Sequence, residues 1–165
     1  MAIIVETGTG AATSESYFSV ADADIYHAAR GSTLWATLQT AEKEQALRRA
    51  TDYMRQAYNG RWKGLQPFIA QALDWPRYGV IVNGWYVPDR AVPVDVANAC
   101  AEFAFRAAFG DLSPDVGAQV TSETVGPISV SYAVGARQTM AFKAIDNLLA
   151  KYLTGGLGSI PVVRA

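Results

Sequence analysis

Apolar positions recur at helical spacing in four stretches of this chain and at a shorter, strand-like spacing in one. Residues 40–58 carry the clearest pattern. Ala46, Leu47, Ala50, Tyr53, Met54, Ala57 and Tyr58 fall on one helical face, and Glu44, Arg48, Arg49, Asp52 and Arg55 take the other positions. Thr40 is the expected cap, Glu42 and Glu44 lie in the first turn, and Asn59-Gly60 stops the helix. Pro93 stands where the first residue of the next helix belongs. From there to Phe109 only Asp95, Asn98, Glu102 and Arg106 form a polar stripe. A helix with so narrow a stripe is nearly surrounded by other structure. A last helix is predicted from about Gln138 to Tyr152, within residues 137–153, burying Ala141, Ala144, Ile145, Leu148, Leu149 and Tyr152. A shorter one is capped by Ser19, carries Asp22 and Asp24 in its first turns, buries Ile25, Ala28 and Ala29, and ends at Arg30-Gly31. Trp35 lies in the connection that follows.

Between these helices the pattern changes character. Residues 60–92 are broken by Gly64, Pro76, Gly79, Gly84 and Pro88, so an irregular segment is expected. Its centre, Gln71-Ala72-Leu73-Asp74-Trp75-Pro76-Arg77-Tyr78, is too apolar for a free loop and reads as a docking loop pinned to a core or a partner. In residues 119–133 the period shortens. Residues 120–125 and 128–132 are two β-like runs around Gly126-Pro127, a ribbon that is marginal alone and needs something to pair with. Residues 1–16, with Gly8 and Gly10 among Ala, Thr and Ser, read as an arm with little packing of its own, and residues 154–165 as a Gly-rich tail. The predicted fold is mainly α: a single domain over residues 1–165, built as a small bundle of about four helices. The helical core (residues 17–118) carries a β-ribbon insertion and extended N- and C-terminal arms.

Composition narrows the function classes. Half of the 165 residues are apolar and only 18% are charged, which suits a subunit that buries surface in an assembly and also a lone compact domain. The net charge of −1 gives no overall steering towards nucleic acid, leaving only a local patch. Cys100 is the one cysteine, so no disulfide framework is expected; it sits in an apolar run and reads as a small buried hydrophobe. The start of the chain lacks a basic region before its short apolar run, and no run of about 18 apolar residues exists, so neither a secretory leader nor a membrane span is expected.

The chemistry inventory is thin. His27 is the one histidine, and without a nucleophile motif it reads as an exposed or half-packed residue. Asp22 and Asp24 point in different directions on a helix and make poor metal partners. No phosphate-loop, zinc-protease, dinucleotide or nucleophile-elbow motif occurs, so catalytic residues, cofactor and metal are all expected to be none. The one patch of interest interleaves Arg48, Arg49, Arg55, Arg61, Lys63 and Arg77 with Tyr53, Tyr58, Trp62, Trp75 and Tyr78, a composition that holds phosphates and stacks bases. The plainer reading puts the tyrosines in the core and the arginines on the opposite face as solvating groups.

The run from Ser16 to Tyr26 beginning Ser-Tyr-Phe-Ser-Val, then Trp35, Ala46-Leu47-Arg48-Arg49-Ala50-Thr51-Asp52-Tyr53, Gly64, the Gln71-to-Arg77 run, Val92-Pro93 and the ribbon residues 125–132 together resemble one family. It is that of the tailed-phage head–tail connector (adaptor or head-completion) proteins, a group often labelled DnaT-like single-stranded-DNA-binding. The likeness covers roughly residues 17–152, and Gln-Ala-Leu-x-Trp-Pro-Arg is its most specific piece. The resemblance implies a helical structural protein of the virion neck, made in the bacterial host cytoplasm. It would assemble with itself as a ring, expected to be dodecameric, around genomic DNA passing through the channel. It would join the portal protein to a tail-side stopper or tail-terminator protein, away from any membrane. On that reading Leu157, Ile160, Pro161, Val162, Val163 and Arg164 are portal-contact candidates, and Glu123, Val125, Ile128, Val130 and Tyr132 are candidates for subunit or tail contact. Gln71, Leu73, Trp75, Pro76 and Arg77 form the loop that marks the fold, with pairing of Arg77 across subunits left open. The alternative is a single-stranded-DNA-binding accessory protein, for which Arg48, Arg49, Arg55, Arg61 and Lys63 are the candidate DNA-facing residues.

Overall fold

The computed structural model describes residues 2–115, 122–125, 128–131 and 140–155. The fold is mainly α-helical. Its elements in chain order are α1 (Val20–Ala28), α2 (Thr33–Ala36), α3 (Thr40–Ala57), the hairpin β1 (Ile81–Val82) and β2 (Trp85–Tyr86), α4 (Val94–Phe109), the ribbon β3 (Ser122–Val125) and β4 (Ile128–Ser131), and α5 (Lys143–Leu149). A 3-10 turn, Ala150–Tyr152, follows α5.

The α3–α4 pair is the centre of the molecule. Ala46, Leu47, Ala50 and Met54 of α3 and Ala99, Cys100, Phe103, Ala104 and Ala107 of α4 are all buried. The small residues let the helices approach closely, and Phe103 fills the remaining space with Tyr53, Tyr58 and Phe142 around its ring. The narrow polar stripe of α4 is explained by this burial: α1 and α5 also pack against α4. Cys100 is fully buried, beside the hydroxyls of Ser16 and Thr51, and burial pushes its thiol pKa up.

Several local expectations are corrected. In α1 the inward residues are Ala23 and His27, while Ile25 is 70% exposed and Ala28 and Ala29 also face out. Alanines are spread round the helix among Asp22, Asp24 and His27, so periodicity could not select its buried face. His27 is buried, with its ring 4.6 Å from Trp35 and 5.6 Å from Phe105 and its Nε2 3.2 Å from the Ala101 carbonyl oxygen. Burial lowers its pKa, against the opposing pull of that carbonyl, so it is a neutral core residue. Trp35 is buried on the one-turn helix α2, where its indole N–H donates to Asp24 at 2.7 Å. The cap of α3 is Gln39, whose backbone N–H is closed by Glu42 at 2.8 Å in a capping box. Pro93 is the cap of α4 and Val94 its first residue. The last helix starts only at Lys143. Ala141 and Ala144 are exposed, and Ile145, Leu149 and Tyr152 make the contact with the core.

Of the expected arm over residues 1–16, residues 2–16 are described and are not free. Glu6 is buried and gathers the backbone around it. One carboxylate oxygen accepts from the amides of Gly8, Thr9 and Gly10 at 2.8, 2.6 and 3.0 Å; the other accepts from the Ala11 amide at 3.0 Å and the Ser14 hydroxyl at 2.9 Å. Burial alone would raise the Glu6 pKa, but these donors outweigh it and hold the carboxyl below its ordinary value. The segment is further tied down by the Glu6–Ser16 backbone bond at 2.8 Å and by the Arg48 guanidinium, which grips both oxygens of Glu15 at 3.1 Å.

The ribbon pairs as expected. Its antiparallel register sets Glu123 against Val130 and Val125 against Ile128.

Candidate nucleic-acid interface

The docking loop is held by its own polar groups. Arg77 donates to the carbonyls of Lys63 at 2.8 Å, Gly64 at 2.7 Å and Asp74 at 3.1 Å, and the Gln71 amide donates to those of Leu73 at 2.7 Å and Pro76 at 3.0 Å. The guanidinium fork is therefore engaged inside the chain on three carbonyls. The Trp75–Pro76 peptide is cis. Trp75 is fully buried, with Trp62 and Tyr152 presenting edges to its ring at 5.8 and 5.6 Å, and Leu73 and Pro76 are buried beside it. Burial pushes the Asp74 carboxyl up, although the Trp62 indole donates to it at 3.1 Å.

This clamp brings three segments together. Leu65 and Tyr78 exchange backbone hydrogen bonds at 3.1 and 2.9 Å, and Gly64 takes a positive φ of 68° where a side chain would collide with the Tyr78 carbonyl. The 3-10 turn lies alongside, with the Lys63 amide on the Tyr152 carbonyl at 2.9 Å and the Thr154 amide on the Arg61 carbonyl at 2.7 Å. The Lys63 ammonium reaches the Lys151 carbonyl at 2.8 Å, and the Lys151 side chain is exposed, paired with Asp95 at 2.6 Å. Arg61 lies 5.6 Å from the centre of the Tyr58 ring, and Arg55 is exposed on the last turn of α3.

The β1–β2 hairpin packs beside the same 3-10 turn. The chain breaks predict an irregular course for residues 81–86. Asn83 and Gly84 instead take positive φ of 52° and 84°, the requirement of a two-residue turn whose twist matches its strands. The hairpin carries Trp85 at 80% exposure and Tyr86 at 76%, and Tyr78 is partly exposed at its base. Arg61, Lys63 and Lys151 thus share a region of the surface with exposed aromatic rings on a short, hydrogen-bonded scaffold. Cations for phosphates and open π faces for bases are the two components of a single-strand platform.

The patch predicted from sequence is divided by the fold. Tyr58, Trp62 and Trp75 go into the core and Tyr53 is half-buried, so they offer no stacking face. Arg48 is committed to Glu15 and Glu44, and Arg49 to the Ala107 carbonyl at the end of α4. Arg55 is exposed, and Arg61 and Lys63 are half-buried, with the Lys63 ammonium on the Lys151 carbonyl. Sequence reasoning missed Trp85, Tyr86 and Lys151. The Asn-Gly pair between Ile-Val and Trp-Tyr was the available signal for the first two; Lys151 is joined to Lys63 only by tertiary packing. Tyr132 and the candidates Leu157, Ile160, Pro161, Val162, Val163 and Arg164 lie outside the described residues. Among the described residues no group of three or more His, Cys, Asp or Glu is placed to hold a metal, and no helix is long and apolar enough to cross a membrane.

Fold and surface together define a small helical protein whose exposed aromatic hairpin packs beside the 3-10 turn that carries Lys151. The family model described as "Putative DnaT-like ssDNA binding protein" matches residues 1–165, and the chain belongs to that family. Searches of the curated proteins and of the solved structures returned no match.

Proposed function

We propose that this protein binds single-stranded DNA as an accessory protein, with Arg61, Lys63 and Lys151 tracking phosphates and Trp85 and Tyr86 stacking on bases. The observation that carries the reading is the pair of exposed rings on a hairpin seated beside the basic 3-10 turn; the family description points the same way. Such binding is tolerant of sequence and sensitive to salt, because it uses phosphate charge and the π face common to all bases. The test is fluorescence anisotropy of labelled oligothymidine at low and near-physiological salt. Replacing Trp85 and Tyr86 together by alanine is expected to weaken binding by about 10- to 100-fold. Arg61→Gln with Lys63→Gln is expected to flatten the salt dependence. Absence of binding at low salt sinks the proposal.

A second reading, a head–tail connector subunit of a tailed phage, is favoured by the ribbon. Strands β3 and β4 pair with each other and with no third strand among the described residues, and a lone two-stranded ribbon gains from a partner. This reading carries the proposed ring, portal and tail-side partners and a place in the virion neck. Its test is to mix the protein with a portal ring and examine the mixture by mass photometry and negative-stain microscopy; an added ring supports it, and unmodified portals count against it.

A further inference from the structure

The outward face of α1 is apolar. Ala21, Ile25, Ala28 and Ala29 are all exposed on the side of the helix opposite the buried Ala23 and His27. Ile25 borders a groove of about 400 Å³ lined by Phe18, Asp22, Ile25, Tyr26, Ala29 and Arg30. A helix that is apolar on both faces is normally covered on both, and among the described residues only the Ala23 and His27 side is.

We infer that this face is a self-association surface, occupied by α1 of a second copy of the same chain packed antiparallel across a two-fold axis. The charges identify the occupant. Asp22 lies at the start of the face and Arg30 at its end, eight residues or about 12 Å apart along the axis. An antiparallel crossing centred on Ile25 and Tyr26 sets each Asp22 against Arg30 of the other copy, twice over; a parallel crossing sets like charges together. Both groups are pre-positioned. Asp22 is held by the Ser19 hydroxyl at 2.5 Å, and Arg30 lies over the Tyr26 ring at 3.4 Å while donating to the Tyr26 carbonyl at 3.1 Å. The exposed alanines allow close approach, and Ile25 supplies the knob for the facing groove. An isologous contact of this kind closes at two copies. With so short a face it belongs to the weak class that buries less than about 1,200 Å² in total.

The test is sedimentation velocity of the full chain from low to high micromolar concentration, with circular dichroism to confirm that each variant is folded. The wild type is expected to show a monomer–dimer equilibrium. Arg30→Asp and Asp22→Arg should each weaken it by about 10- to 100-fold by placing like charges together, and the double swap should restore it. Ile25→Cys, a change at an exposed site, should give a disulfide-linked dimer on mild oxidation, because the native Cys100 is buried. A wild type that stays monomeric throughout overturns the inference. So does an oligomer indifferent to Arg30→Asp and Ile25→Glu, or an Ile25→Cys variant that does not cross-link.

Discussion

Two irregular segments of this protein are organised by opposite means. Residues 2–16 wrap around an anion, and residues 60–80 wrap around a cation. Glu6 collects four backbone N–H groups and two hydroxyls, whereas Arg77 collects three backbone carbonyls. Each solves the problem of a chain that must satisfy much of its backbone outside helix and sheet. They differ in what else holds them. The docking loop also buries Leu73, Trp75, Pro76 and Val80. The principal buried groups of residues 2–14 are polar: Glu6 and Ser14. A charged hub can thus be a supplement to a core or a substitute for one.

That difference can be broken experimentally, beginning with the largest effect. Trp75→Ala removes the apolar anchor of the docking loop and should lower stability by ~3–5 kcal/mol in urea unfolding. A loss below 1 kcal/mol, on the order of a surface change, would mean that Arg77 alone suffices. Next comes Glu6→Gln, which keeps the shape, removes the charge and turns an amide NH₂ towards donors. It should reduce stability by about 2–4 kcal/mol, with hydrogen exchange rising first at Gly8, Gly10 and Ala11. Arg77→Lys keeps the charge and loses the fork. It should lower stability by about 1–3 kcal/mol, less than Glu6→Gln because Trp75 still anchors the loop.

The smallest and most selective effect is expected from acid. The folded pKa of Glu6 lies below its reference value, so its stabilisation is fully present above pH 4.5 and is lost as pH falls through the folded value. Asp74 has the opposite sign: burial raises its folded pKa, so ionisation opposes folding and protonation at low pH relieves it. Arg77 stays charged throughout. Amide protection should therefore fall in residues 8–11 before it falls at Leu65 and Tyr78. Simultaneous loss of both would show that the segments unfold as one unit.

The reach of sequence reasoning varied with the kind of signal. The amphipathic stripe of α3 and the near-total burial of α4 were legible because one face, or nearly all faces, had to be covered. The docking loop was legible because Trp75 and Leu73 in a Pro-broken run need a core. The face of α1 was not legible: Ala23 and His27 compete with Ile25, Ala28 and Ala29, and no period separates them. The Glu6 hub left little trace, since its donors are backbone amides of any sequence. For the candidate site, Arg61 and Lys63 were found, while the aromatic partners were assigned to Tyr53, Tyr58, Trp62, Trp75 and Tyr78, of which Tyr78 is exposed, and Trp85 and Tyr86 were passed over despite the Asn83-Gly84 turn between the two short strands.

The amino-acid order by itself determined the helical class, the two long helices α3 and α4, the ribbon and the need for the Trp75 loop to be buried, because burial of apolar area follows from periodicity and composition. Tertiary structure alone decided which aromatics remain at the surface, which arginines are consumed by carbonyls and carboxylates, and that Lys151 stands beside Lys63. Those outcomes depend on which groups meet across long stretches of chain, and local pattern carries no record of such meetings.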